Sequence, residues 1–426
     1  MIEDELRNNA DRFRSESQLN LPRSEYCLGS DPGGNIVHLI PSPWETSMEN
    51  VLVHGNNEWT TKTAYNIASQ SFWTEHRTWI IIDQMFDYIG NDVQNEHASP
   101  ILEFDSIPAE RMDVISPRYF LEMLHRDDIV TTGITEKYTI PFRHCSISNL
   151  VEMMKLNEKA SYLSMFEIML HELQFERHGM ATVQDLIAMM ENAMQDPGFP
   201  SNMVWTVRML IDKLNRVHDA LINDDPWSSI GSSLFKALSE NQPRWIVLTL
   251  GHALSPVDLF SMSMIDTVLT ELRKFCELLR VNGIRMNIGV MVNNIDTLMR
   301  NGQSGARAVH DLINAWGRTS RVYRLCTANR ADDLPKEYFA RSRSRALFCR
   351  FQDIIECRNN GTASLLDSCH VDDRESSNGE KLPRVVNTFT IAEPSIKVTQ
   401  DRASPSFDGR SIALAEALER PSRGQA

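Results

Sequence analysis

The chain reads as an α/β protein: a mostly parallel sheet, helices on both faces, and a helical insertion. Three observations lead there. Continuous apolar runs, WIVLTL at Trp245–Leu250 and NIGVMV at Asn287–Val292, have the composition of strands buried on both faces. Amphipathic helical stretches alternate with them, above all Val257–Arg280, with Ile265, Leu269, Leu272, Cys276 and Leu279 on one face. Strand–helix alternation of this kind builds a parallel sheet covered on both sides. Residues 100–240 then break the pattern. They are methionine-rich and helical in spacing (NLVEMMKL, SYLSMFEIMLHELQ, TVQDLIAMMENAM), with no strand alternation.

Taken in order, residues 1–20 read as a short polar helix or arm. Cys27–Leu39 reads as strand, turn, strand, with Asp31-Pro32-Gly33-Gly34 as the turn. Val51–Val53 is a short strand, followed by a polar loop, a helix and a second buried strand, Trp79–Ile82, ending in Asp83. Within the insertion, Thr182 with Asp185 marks a helix start. Beyond Asn287–Val292 come a helix near Ala306–Trp316 and strands at Val322–Thr327 and Ala346–Phe351. The expected division is an arm at 1–20, a core built from 21–99 and 241–358, an insertion at 100–240, and a mostly flexible tail at 359–426. That tail is rich in Ser, Asn, Asp and Arg and holds one strand-like segment, Val385–Ile391.

Composition sets outer bounds. With 426 residues, 42% hydrophobic and 23% charged, the chain is ordinary globular material for one large or two modest domains. A net charge of −14 argues against non-specific nucleic-acid wrapping by the whole surface, though a basic channel built by an oligomer stays open. Seven cysteines lie scattered without a C-x-x-C pair, as free thiols of a reducing cytosol would. The spacing of Cys357, Cys369 and His370 is too irregular for a metal set. The charged first residues do not read as a signal peptide, and no apolar run approaches the roughly 20 residues of a bilayer span. A cytoplasmic location is expected.

The chemistry concentrates in Glu49–Asp83, ENVLVHGNNEWTTKTAYNIASQSFWTEHRTWIIID. Strand, polar loop, Lys62-Thr63, helix, strand and Asp83 follow the layout of a phosphate-binding loop, whose working form is G-x-x-x-x-G-K-[ST]. Counting back from Lys62, Asn56 and Thr61 hold the glycine positions, and Gly55 stands one place early. Such a loop works because successive N–H groups and a helix N-terminus face the anion, and glycines permit the close approach. Asn56 and Asn57 tolerate the needed backbone best, β-branched Thr61 worst. Glu58 adds negative charge and Trp59 bulk. Lys62 retains the phosphate-pairing ammonium and Thr63 the Mg²⁺-binding hydroxyl.

The order of segments over roughly residues 27–351 resembles the HerA–FtsK superfamily of ring-forming, DNA-handling P-loop ATPases, and looks closest to HerA-type and conjugative-transfer ATPases. LGSDPGGNIVHLIPSPWETSMENVLVHGN resembles the family's entry into the phosphate loop. IIIDQMFDY resembles its second-strand motif, carrying Asp83 and Asp87. WIVLTLGHALSPVDLFSM resembles the strand before a long helix, and NIGVMVNNIDTLM falls where the Walker B strand belongs. RLCTANRADDLP resembles the sensor strand, with Thr327 and Asn329. The resemblance implies a P-loop NTPase-like core, ATP and Mg²⁺ at Gly55, Asn56, Asn57, Thr61, Lys62 and Thr63, and a ring, most simply a hexamer. The ring would be homo-oligomeric or mixed with an active ATPase, with Arg318 and Arg321 as candidates to reach a neighbour's site, and with DNA as substrate. At the catalytic place stand neutral Asn293 and Asn294, unable to act as base, with Asp296 two residues on. The expectation is an ATPase-fold protein of a DNA translocation, transfer or packaging system with weak or lost hydrolysis. The alternatives are an active ATP-driven translocase with atypical motifs, or a non-enzymatic subunit of a defence or DNA-processing complex.

Overall fold

A computed structural model describes residues 2–16, 25–39, 50–83, 103–105, 107–117, 136–157, 162–177, 180–220, 222–225, 227–249, 258–301, 309–310, 312, 322–335, 351, 353–375, 381–392 and 395–397. Its strands are β1 (Tyr26–Ser30), β2 (Ile36–Leu39), β3 (Asn50–Gly55), β4 (Thr78–Asp83), β5 (Glu103–Asp105), β6 (Met112–Pro117), β7 (Glu136–Tyr138), β8 (Ile140–Pro141), β9 (Ile222–Asn223), β10 (Trp245–Thr249), β11 (Ile288–Val292), β12 (Val322–Ala328), β13 (Asp353–Cys357), β14 (Thr362–Glu375), β15 (Lys381–Ile391) and β16 (Ser395–Lys397). Twelve form one sheet in the order β2-β1-β15-β14-β13-β3-β12-β11-β4-β10-β6-β7. From β13 to β7 every pairing is parallel. The strands beyond β13 pair antiparallel.

Alternate side chains leave a strand on opposite faces, so the apolar runs feed two cores. Val51, Val53, Trp79, Ile81, Val247, Met291 and Leu325 pack with Ala64, Ile67, Ala68 and Phe72 of the Asn57–Thr74 helix. Leu52, Ile80, Ile82, Ile246, Leu248, Val290 and Val292 join the opposite core, with Leu234, Leu269, Leu272 and Phe275 from the helices Ser229–Glu240 and Asp258–Val281. The Asn57–Thr74 helix also completes β1. Where β1 bulges between Cys27 and Gly29, Gln70 substitutes for a strand, accepting Cys27 N–H at 2.8 Å and donating to its carbonyl at 2.9 Å. The predicted β1–β2 turn is in place, with Asn35 N–H donating to the Asp31 carboxylate at 2.8 Å and Gly34 at φ +83°.

Four expectations need correction. Of the two readings of the first residues, helix or arm, the helix holds, but it is not polar throughout. Helices Ile2–Asn8 and Ala10–Glu16 bury Ile2, Leu6, Ala10 and Phe13; Phe13 meets Phe235 edge-on at 6.3 Å, and Glu3 pairs with Arg143 at 3.2 Å. Residues 100–240 are helix-rich but not free of strands, since β6 and β7 extend the main sheet and β5, β8 and β9 join two small ones. Asp113 obscured β6 in the sequence; it is buried because Arg244 Nε, on the next strand, donates to it at 2.6 Å. Of Ala346–Phe351, only Phe351 lies within the described residues, and the strand there is β13, two residues later. The tail from 359 contributes β14 and β15, which pair antiparallel with Ala363 and Phe389 buried, and β16, which pairs parallel with β5.

The helical layer is locked by a buried carboxylate. Glu271 of the Asp258–Val281 helix accepts Ser228 N–H at 2.7 Å and Ser228 Oγ–H at 2.5 Å, while Ser228 Oγ caps the Ser229–Glu240 helix through Ile230 N–H. Burial pushes the Glu271 carboxyl up to about 7 from its ordinary 4.5, against the opposing pull of the Ser228 hydrogen bonds. The folded state therefore holds a proton that the unfolded state releases first. This contribution is complete below about 4.5 and is lost as pH climbs to about 7, on the order of 3 kcal/mol in all. Denaturant unfolding across that window should show Glu271→Gln losing much of the wild-type decline in stability. Parallel pH profiles for the two proteins would contradict it.

Candidate functional site

β3 and β13 run in parallel register to their last residues, Gly55 opposite Cys357. Gly55 sits at φ +119°, and a Cβ there would overlap the Cys357 carbonyl oxygen, so only glycine fits. The chain then enters a helix at once. Asn56 N–H donates to the Cys357 carbonyl at 3.2 Å, and the Asn56 carbonyl accepts Thr60 N–H at 2.9 Å. Asn56 is the N-cap: its Oδ1 accepts Trp59 N–H at 3.3 Å, and its Nδ2 donates to Asn359 Oδ1 at 3.1 Å. The turn after β13 closes over this end, with Gly361 at φ +73° where a Cβ would come within 2.9 Å of the Trp59 ring.

The expected polar loop is therefore absent, and Lys62-Thr63 do not open the helix. The helix begins at Asn57, and both residues lie in its second turn. The physical reason lies in the substitutions already noted. With no glycine between Asn56 and Lys62, nothing favours the positive φ of a phosphate cradle. Asn56 is a strong cap, and Glu58 suits the first turn through the helix dipole. Lys62 Nζ pairs with Glu58 at 2.9 Å and lies 4.6 Å from the centre of the Trp59 ring. Thr63 is fully buried, its Oγ1 3.7 Å from Cys357 Sγ. Burial holds that thiol up at about 11. A nucleotide phosphate draws on several free N–H groups in a cradle, and here three of them, those of Asn56, Trp59 and Thr60, bond to the chain itself. Mg²⁺ needs the Thr63 hydroxyl in the open. The residues present do not fit ATP and Mg²⁺ in this arrangement.

The other candidates do converge. Thr249 stands opposite Asp83, and Val292 lies opposite both Ile82 and Cys326. Thr249, Asp83, Asn293 and Thr327 thus form a row across four adjacent strand ends. Met291 and Leu325, two residues earlier, face the Asn57–Thr74 helix, so Asn293 and Thr327 face it too, and all four row members are buried. In open α/β sheets this carboxyl-end edge is where ligands bind. Asn294 takes φ +52° and donates its N–H to Thr327 Oγ1 at 2.9 Å. Buried Asp296 accepts the N–H groups of Asn329 and Arg330, each at 3.3 Å, and so fixes the turn after β12. Asp87, Arg318 and Arg321 lie outside the described residues. The sequence reading did not connect Asn56 with Asn359; the turn-forming Asn359-Asn360-Gly361 was the available signal. It also passed over His54. Its imidazole is held below its ordinary range by burial, against the pull of Glu356 and Asp332.

Two substitutions measure these roles. Asn56→Ala should cost about 1 kcal/mol of stability, as a lost cap does. Lys62→Ala, which removes a largely solvent-facing pair, should cost less than about 1 kcal/mol. Chemical denaturation of both variants reads the contrast.

No family model matches the chain, and no curated protein matches it. Among solved structures it is similar to the bacterial conjugative coupling protein TrwBdeltaN70 in its unbound monoclinic form, with TM-score 0.43 and 11% identity, covering 88% of this chain and 84% of that one. It is also similar to VirB4 of Thermoanaerobacter pseudethanolicus, with TM-score 0.46 and 14% identity, covering 90% and 97%. Its own strand order, with β12 between β3 and β11, makes the chain an α/β fold on a mostly parallel sheet.

Proposed function

We propose that the chain is a structural or regulatory subunit, with weak or lost ATP hydrolysis, of a DNA translocation, transfer or packaging assembly. One observation carries the chemical half of this reading. The helix start that would cradle a phosphate is closed by Asn56, Cys357 and Asn359 of the chain itself. Neutral Asn293 and Asn294 at the Walker B place support it, as does the Lys62 pair with Glu58. The DNA half rests on the motif order and its resemblance to DNA-handling ATPases. The second reading, an active translocase with atypical motifs, draws on Asp83, a fully buried carboxylate beside Asn293 in the row.

Thermal unfolding and ATP turnover, each with and without DNA, separate the two. A ligand at about 100 times its Kd adds about 2.7 kcal/mol to stability. Millimolar Mg-ATP should give no shift that depends on Lys62, and no turnover. Asn293→Asp with Asn294→Glu should remain inactive, because the helix start stays closed. DNA-stimulated hydrolysis that disappears in Asp83→Asn would overturn the proposal in favour of the second reading.

A further inference from the structure

A cluster of basic side chains lies in the helical layer, one turn beyond Glu271. The short turn Phe142–His144 packs on the Asp258–Val281 helix and brings Arg143 and His144 to Lys274. The His144 ring is buried and held at both nitrogens. Arg143 Nε donates to His144 Nε2 at 3.2 Å, and Lys274 Nζ lies 3.0 Å from His144 Nδ1. Behind them stand apolar walls. The Arg143 guanidinium lies 4.7 Å from the centre of the Trp227 ring, and Trp227 meets Phe275 edge-on at 6.1 Å.

The hydrogens in this chain can be assigned. An arginine only donates, so the nitrogen facing Arg143, Nε2, carries no hydrogen. That rules out the imidazolium, which is a donor at both nitrogens. A neutral imidazole has one N–H, which must then sit on Nδ1 and point at Lys274. An ammonium has three donors and no acceptor, so the group that receives this N–H is the neutral amine, through its lone pair. The surroundings agree. Burial, together with the charges of Arg143 and Arg273, holds the Lys274 amine below its ordinary range, against the pull of Glu271 and Glu3. Both carboxylates are otherwise engaged, Glu3 with Arg143 at 3.2 Å and Glu271 with Ser228.

The geometry points to Lys274 as an uncharged, nucleophilic amine that forms an imine with small aldehydes carrying a negative group. Its lone pair attacks the carbonyl carbon, giving up the Nδ1–H contact for the new C–N bond. Both amine hydrogens leave with the carbonyl oxygen as water, and a C=N bond remains. A lysine desolvated beside other cations is suited to this chemistry. Lys274 and Arg143 are partly exposed and Arg273 is exposed, so an aldehyde can approach, and the two arginines favour a negative one. The inference stands apart from the nucleotide question, because none of these residues belongs to the β3 edge.

The test treats the full chain with pyridoxal 5′-phosphate at pH 7, reduces the imines with borohydride, and reads labelling at each lysine by peptide mass spectrometry. Lys274 should label about tenfold or more faster than the exposed Lys236, and should keep reacting at lower pH than Lys236 does. Pyridoxal without the phosphate should label Lys274 more slowly. In His144→Asp a carboxylate faces the amine and favours the ammonium, so Lys274 should fall to the rate of Lys236 or below. His144→Asn, of the same size but able to donate, should keep most of the wild-type rate. Unchanged far-UV circular dichroism and melting check that both variants fold, and the comparison within the wild type needs neither. Lys274 labelling no faster than Lys236, the same pH profile at both, equal rates with pyridoxal and its phosphate, or His144→Asp reacting like His144→Asn would each overturn the inference.

Discussion

The parallel pairing of β3 with β13, carried down to Gly55 against Cys357, constrains everything at the carboxyl edge of the sheet. Because the Cys357 carbonyl receives Asn56 N–H, the residue after the strand is already fixed as a helix cap. No slack remains for a loop. The helix must rise directly from the strand, and its Thr60 and Thr63 are buried beside Cys357.

The edge is unusually polar for such a buried place. Asp83, Asn293 and Thr327 share one row without exposure, where apolar residues would be the cheaper filling. A buried carboxylate persists only where surroundings compensate it, as the Arg244–Asp113 pair illustrates at the opposite ends of neighbouring strands. Asp296 shows the same economy, since two backbone N–H groups on one carboxylate hold the turn after β12 in a single geometry. Asp296 thus holds a turn at a position where the motif pattern expects chemistry.

The central sheet was legible because its strands are buried on both faces and so appear as unbroken apolar runs, as at Trp245–Thr249 and Ile288–Val292. Motif order singled out Asp83, Asn293 and Thr327 one at a time; the row they share comes from the register of the folded sheet. What escaped the reading was context-dependent. β6 carries a charge whose partner lies 131 residues away, and β14 mixes polar residues through its length, so neither has an apolar signature. The N-terminal helices keep only Ile2, Leu6, Ala10 and Phe13 inward, a stripe thin enough to pass for a polar arm. The helix start was misplaced because a Lys-Thr pair looks the same in a second turn as in a first. The deciding residue, Asn56, acts through hydrogen bonds that only the folded chain supplies.

The antiparallel pairing of Gly29 with Ile391 joins the earliest described strand to one of the latest. During synthesis the β1–β2 hairpin leaves the ribosome long before β15, the strand it docks against. Until then it presents open backbone and Leu28, Val37 and Leu39 without their eventual cover. Loop closure over that separation is entropically costly, so the hairpin's edge stays open until β15 is made, while in the folded chain the Gln70 amide bonds the Cys27 backbone beside it.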